Sequence, residues 1–286
     1  MESLLVTVAQ AARQLGVGTA TVKRWCDAGL LRASRTAGGH RRFAAADVER
    51  LRAAQAGVPS GRSAERPAHE RFLGDVLAAR HAGEAAGHLL ALRGRTGAWT
   101  AAVGVVEQAW DLALRRRESG HLTGLEERLA TERILRATQL LTEQLPFDDR
   151  TPPWLFTCAE GEPARVPLAL AELLLRDGGA PTLWAGGPTP VPSVIRALRA
   201  LRPAALVVLA TRAHRRPESL RQQAAALRSA LRVHRVPLWL LGDAAWPDGE
   251  GAARALHAVD VMPAAAAPST RRAASPSTAR RGTRPA

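Results

Sequence analysis

Thr19, Thr21, Lys23 and Arg24 fall in one short stretch of the chain, and Arg35, Thr36, Gly39, His40, Arg41 and Arg42 follow in the next. Hydroxyls and cations at this density suit one chemistry, hydrogen bonds and ion pairs to the phosphates and base edges of duplex DNA. Residues 1–56 carry nine Lys or Arg against four acids. The end from Pro263 adds five Arg and no acid, so the 206 residues between hold little of the formal net charge of +14. A cationic excess at the two ends favours a polyanion held at the N-terminus. Part of the high isoelectric point is compositional, since Lys23 is the only lysine in a chain rich in Arg, Ala, Gly and Pro.

Other chemistries find little to work with. Cys26 and Cys158 are the only cysteines, too few for a disulfide framework or a zinc site, so a reducing compartment is expected. There is no Gly-x-Gly-x-x-Gly after a strand, no phosphate loop, no serine in a nucleophile elbow and no His/Asp pair at strand ends, and no enzyme is expected. No apolar run reaches the ~18 residues that cross a bilayer, and no leader pattern opens the chain. A cytoplasmic, nucleoid-associated protein without a membrane partner is the expectation.

The elements that must position the cations come next. Thr7 can cap a helix with Ala11, Ala12 and Leu15 on one face, and Gly16 stops it. Val17 plugs the turn, Thr19 caps a second helix, and Val22 and Trp25 turn inward while Thr21, Lys23 and Arg24 stay outside. That is how a helix-turn-helix offers polar groups to the major groove. The stretch Leu30 to Phe43 reads as a hairpin wing with Gly38 and Gly39 at its tip and cations on both flanks. Asp47 to Ala56 supplies a supporting helix with Val48 and Leu51 inward.

Residues 1–56 therefore read as a winged helix-turn-helix, and residues 57–67, rich in Pro, Gly and Ser, as a linker. Residues 68–147 show helical apolar spacing and predict a four-helix bundle. Residues 152–262 alternate helical stretches with short apolar runs at Trp154–Ala159, Thr182–Ala185, Ala205–Ala210, Pro237–Leu241 and Val259–Met262. That alternation predicts a flavodoxin- or Rossmann-like parallel sheet covered by helices. Residues 263–286 have nothing to bury and read as a disordered basic tail. The fold class is thus α and α/β, multidomain.

The run Ala-Ala-Arg-Gln-Leu-Gly-Val, Thr-Val-Lys-Arg-Trp, Gly-Leu-Leu and Arg-Thr-Ala-Gly-Gly-His-Arg-Arg-Phe resembles the MerR family of transcription regulators over nearly fifty residues in order. The resemblance implies a second helix in the major groove and a wing on backbone or minor groove. Regulators of this kind act as dimers on two half-sites. Because Gly57 and Pro59 follow the support helix at once, a homo-oligomer would form through the bundle and sheet.

The order of winged helix, bundle and α/β sheet resembles the cobalamin-binding photoreceptor repressors of that family. The matching segments are Glu118 to Glu127, Glu160-Gly161-Glu162, Trp184 to Val191 and Val207 to Thr211. By that resemblance the ligand pocket falls at Glu162, Ala164, Arg165, Pro167, Thr211, Gly242 and Asp243 in the sheet, and at Arg117, Glu127 and Arg128 in the bundle. In the family's Glu-x-His-x-x-Gly motif the imidazole takes cobalt's lower axial position. Here Ala164 stands at that histidine and Pro167 at the glycine, and alanine cannot ligate a metal. The capping tryptophan and the Glu-His pair fall at Arg117 and at Glu127-Arg128, and the glycine pair at the nucleotide tail is reduced to Gly242-Asp243.

A degenerate pocket is the reading, with no cofactor expected although the resemblance allows cobalamin. Arg165, Arg212, Arg215 and Arg216, at the carboxyl ends of the strands, would suit an anion or form a solvated rim. Two further readings follow the same resemblance: a functional cobalamin-dependent light-responsive repressor, and a cobalamin- or nucleotide-dependent enzyme with an accessory DNA module.

Overall fold

The structure, a computed structural model, describes residues 5–27, 30–36, 38–56, 66–214, 216–244, 246, 253–255 and 257–261. The expected tail and all but Arg66 and Pro67 of the expected linker lie outside the described residues.

The N-terminal unit runs β1 (Leu5–Thr7), α1 (Val8–Leu15), α2 (Thr19–Asp27), β2 (Ala33–Arg35), β3 (Arg41–Ala44) and α3 (Ala45–Ala56). Local chemistry sets the first turn. Thr7 Oγ1 accepts from the Gln10 backbone at 3.1 Å, and the Gln10 side chain accepts the Thr7 N–H at 2.8 Å, forming a capping box that opens α1. Gly16, at φ 67°, closes the helix in the left-handed region, where its N–H and that of Val17 reach the Arg13 and Ala12 carbonyls. Thr19 is the first residue of α2 and not its cap, because the Val22 N–H already bonds the Gly18 carbonyl. Ala11, Leu15, Val22, Trp25, Leu31, Phe43, Val48 and Leu51 form the core of the unit. The strands join as an antiparallel sheet in the order β1-β3-β2, so a strand ahead of the first helix completes the wing.

Four helices follow: α4 (Ala68–Ala78), α5 (Ala82–Thr96), α6 (Trp99–Glu118) and α7 (Gly124–Thr142). His81 Nδ1 caps α5 by accepting the Glu84 N–H at 3.1 Å, and Thr123 with Glu126 forms a second capping box on α7. Phe72, Leu73, Val76, Leu89, Leu92, Val103, Val106 and Ile134 are fully buried in the bundle interior. The bundle is held at both ends, since α3 packs on α5 and α7 packs on the first helix of the sheet domain.

That domain comprises β4 (Trp154–Cys158), α8 (Val166–Asp177), β5 (Thr182–Pro188), α9 (Val191–Leu201), β6 (Ala205–Leu209), α10 (Pro217–His234), β7 (Leu238–Leu241), β8 (Ala253–Ala255) and a 3-10 helix over Ala258–Val261. All neighbouring strands are parallel, in the order β5-β4-β6-β7-β8. The expected fifth strand at Val259–Met262 is corrected: Val259 to Val261 are 3-10 helix, Met262 lies outside the described residues, and the last strand is Ala253–Ala255. Along the central strands the side chains alternate. Trp154, Phe156, Cys158, Val207 and Leu209 share a core with α8 and the bundle, while Leu155, Leu206, Val208 and Ala210 share one with α9 and α10. The chain reverses direction across the sheet at β4, whose neighbours are β5 and β6. The crevice between the carboxyl ends of β4 and β6 is therefore where an open sheet of this order places a ligand.

Candidate nucleic-acid interface

On α2 the apolar and polar residues part cleanly. Val22 and Trp25 are buried, whereas Thr19, Lys23 and Arg24 are exposed and Thr21 is half-buried. Arg24 reaches Thr21 Oγ1 at 3.5 Å on the same face. In the wing, β2 and β3 pair Ala33 with Phe43, Ser34 with Arg42 and Arg35 with Arg41. The turn between them is closed by Thr36 N–H to the His40 carbonyl at 3.0 Å, Gly39 N–H to the Thr36 carbonyl at 2.8 Å and His40 N–H to Thr36 Oγ1 at 3.2 Å. Gly39 sits at φ 76°, where a side chain would be strained; Gly38 has no such constraint, so only one of the two tip glycines is demanded by the backbone.

A groove of about 460 Å³ gathers Lys23 from α2, Gly39, His40, Arg41 and Arg42 from the wing, and Thr7 with the first residues of α1. Arg41 and Arg42 play different parts in it. The Arg41 guanidinium lies 2.6 Å from Asp27 and donates to the Lys23 carbonyl at 3.2 Å, tying the wing to the end of α2. The hydrogen bond it donates to the Asp27 carboxylate raises its pKa above the ordinary arginine value. Arg35 stands directly opposite Arg41, and two cations at that register repel. Asp27 relieves the repulsion and leaves Arg35 exposed. Arg42 points to the other face of β3, away from Asp27. Of the ten residues expected to meet DNA, Thr19, Thr21, Lys23 and Arg24 thus lie on α2 and the other six on the wing. Asp27 was not among them, because its partner is fourteen positions away and no local pattern joins the two.

The crevice of the sheet is filled by the protein itself. Glu162 is fully buried, and its carboxylate accepts from the Thr211 N–H at 2.7 Å, from Thr211 Oγ1 at 3.0 Å and from the Ala164 N–H at 2.8 Å. Burial pushes the Glu162 carboxyl up, with the Thr211 bonds opposing. Glu160, two residues earlier, is clamped by Gln223 Oε1 at 2.8 Å on its N–H and by His214 Nε2 at 2.9 Å on its carbonyl. Beside them the Cys158 thiol donates to the Ala164 carbonyl at 3.4 Å and is pushed by burial to about 12, so it is a thiol and not a thiolate. Gly242, at φ 99°, passes so close to β6 that a Cβ would lie 2.3 Å from the Ala210 carbonyl oxygen.

The remaining residues assigned to this pocket are paired elsewhere. Arg165 contacts Glu132 of α7 at 2.8 Å, Asp243 contacts Arg212 at 2.5 Å, and Arg117 contacts Glu127 at 3.6 Å between α6 and α7. Arg128 is exposed, and Pro167 is the second residue of α8, in its buried first turn. The expected four-arginine anion rim is accordingly reduced: Arg165 and Arg212 are paired with acids, Arg215 lies outside the described residues, and Arg216 alone is exposed without an acid partner among the described residues. Among the described residues, no three His, Cys, Asp or Glu side chains converge as a metal site. None of the described helices is long and apolar enough to cross a membrane.

A family model described as a helix-turn-helix domain matches residues 5–56. The chain carries a helix-turn-helix DNA-binding domain at its N-terminus. No curated protein matches the chain. Among solved structures it is similar to the methanol:cobalamin methyltransferase complex MtaBC of Methanosarcina barkeri, at 16% identity over 73% of this chain and 80% of that chain, with a TM-score of 0.35. It is also similar to a cobalamin-binding protein of Desulfitobacterium hafniense DCB-2, at 14% identity over 68% and 92% of the two chains and a TM-score of 0.33. A third is the monomethylamine corrinoid protein of Methanosarcina barkeri, at 13% identity over 74% and 93% and a TM-score of 0.39.

Proposed function

We propose that this chain is a sequence-specific, DNA-binding transcription regulator of the MerR type that works in the cytoplasm as a homo-oligomer on a duplex operator. The observation that carries this reading is the groove in which α2 and the wing bring Lys23, His40 and Arg42 together beside the exposed Thr19 and Arg24. An α-helix with polar residues outward, flanked by a cationic hairpin, fits one major groove and the phosphates beside it. The bundle and sheet would supply the contacts between copies. An enzymatic role is not part of this proposal. The test is to select bound genomic fragments with the full chain and measure affinity for the recovered site. Lys23→Ala/Arg24→Ala is expected to weaken that affinity about tenfold or more. Equal affinity for the recovered site and its scrambled version would sink the reading.

The sheet half, on this proposal, does not use cobalamin. Ala164 offers no axial nitrogen, Glu162 is consumed by Thr211 and Ala164, and the Cys158 thiol is held as a donor. The His214 imidazole in the same crevice is engaged at both nitrogens, by the Glu160 carbonyl and the Arg216 N–H, so it too is committed within the protein. After incubation with adenosylcobalamin in the dark and gel filtration, the full chain is expected to emerge colourless. A retained corrinoid spectrum would favour the light-responsive repressor instead.

A further inference from the structure

Charge is unevenly spread through the middle of the chain. Residues 66–190, which supply the bundle, β4, α8 and β5, carry fourteen Arg against sixteen acids. Residues 191–236, which supply α9, β6 and α10, carry ten Arg against the single acid Glu218. An arginine-rich composition does not produce this contrast, because elsewhere acids accompany the arginines. Three of the ten, Arg212, Arg215 and Arg216, fall between β6 and α10, and the other seven belong to α9, α10 and the residues that close them. Arg221 is paired with Glu218 and Arg212 with Asp243, but Arg196, Arg199, Arg202, Arg232 and Arg235 are exposed with no acid partner among the described residues.

Three of these arginines converge beside a histidine. Arg199 and Arg202 at the end of α9, with His234 and Arg235 at the end of α10, line a groove of about 480 Å³ that no Asp or Glu lines. Arg202 (φ 45°) and Arg235 (φ 54°) are the two side-chain-bearing residues with positive φ among the described residues, each closing its helix where glycine would be unstrained. Cations near a helix C-terminus complement its dipole. That accounts for one charge at each end and not for the absence of acids over the whole face.

We propose that the α9–α10 face is a second surface for duplex DNA, one that grips phosphates without reading bases, so that a single molecule can hold two DNA segments. Segment 191–236 contains no Phe, Trp or Tyr, which disfavours single-stranded nucleic acid, where aromatic stacking supplies much of the affinity. The winged helix rests through α3 on α5, α5 on α7, and α7 on α8, while α9 and α10 cover the opposite face of the sheet from α8. Bundle, α8 and sheet thus separate the two cationic surfaces, and it is a different segment of duplex that meets the second. A duplex held at the winged helix raises the local concentration of its own distant segments at this face.

The experiment uses the full chain and a short random-sequence duplex. With the winged helix disabled by Lys23→Ala/Arg24→Ala, salt-dependent binding is expected to persist. Adding Arg199→Gln/Arg202→Gly/Arg235→Gly is expected to lower affinity about tenfold and the slope of log K on log salt by about three. Glycine at 202 and 235 suits the left-handed backbone, and circular dichroism checks the fold. A companion variant, Arg199→Lys/Arg202→Lys/Arg235→Lys, keeps the charge and is expected to keep the binding. On beads bearing the winged-helix site, the otherwise unaltered chain is expected to capture a second labelled duplex, and the triple variant to lose most of that capture while still holding the first. Unchanged slope and capture in the folded triple variant, or binding by this face to phosphatidylserine vesicles but not to duplex, would overturn the proposal and leave the winged helix untouched.

Discussion

With its guanidinium held by Asp27 and by the Lys23 carbonyl, Arg41 anchors the wing, while Arg42 on the other face of β3 stays open. Two adjacent arginines should therefore respond differently to removal. Arg42→Ala is expected to lower the salt slope of DNA binding by about one. Arg41→Ala should leave that slope nearly unchanged and instead speed amide exchange in the β2–β3 hairpin; equal slopes losses for both variants would assign both to phosphates. Glu162 makes the same point inside the protein. Glu162→Ala strands two backbone N–H groups and the Thr211 hydroxyl in a buried site, and a loss of about 2–4 kcal/mol in urea unfolding is expected. The trio of donors around Glu162 could not be foreseen from spacing, because Thr211 lies forty-nine residues away.

Elements were legible where end signals coincide with a long enough apolar period. Thr7 and Gly16 bracket α1, and the fold class expected from the alternating pattern is the one observed. The short strands escaped. Leu5–Thr7 is too brief to show alternation, and Ala-Arg-Ala at 253–255 has no apolar run, whereas the apolar stretch beside it formed a 3-10 helix. Both are edge strands, recruited by neighbours rather than by their own composition. The charge of α9 and α10 was hidden for a related reason: averaged over the whole middle of the chain it cancels against the acids of the bundle, and it shows only when residues 66–190 and 191–236 are counted apart. One position at the end of β7 has no latitude. Gly242→Ala combines positive φ with a collision against β6, so about 3 kcal/mol or more of stability should be lost. Gly39→Ala at the wing tip meets no atom within 4 Å and should cost about 1 kcal/mol. Thermal melts of the two would rank them.

Three buried carboxyls tie the whole molecule together, and burial pushes all of them up. Glu107 of α6 accepts the Ala258 N–H at 2.8 Å and lies 3.5 Å from His257, Glu162 fills the sheet crevice, and Glu172 of α8 accepts from Thr182 of β5 at 2.8 Å. A carboxyl raised in the folded state binds its proton more tightly there than in the unfolded chain. Its contribution to stability is full below the ordinary Glu range of about 4.3 and is lost as pH rises through the raised value. Urea midpoints of Glu107→Gln should therefore fall less steeply than those of the unaltered protein as pH rises above the ordinary Glu range of about 4.3; parallel curves would show that the Glu107 carboxyl is not raised. The comparison must be between variants, since the large positive charge relaxes over the same range with the opposite sign.

Strand β1 closes the wing sheet beside β3, and Thr7 at its carboxyl end also borders the groove between α2 and the wing. Because the hydroxyl of that same threonine opens α1, one side chain serves the helix start and the rim of the groove together, and Thr7→Val would disturb both at once.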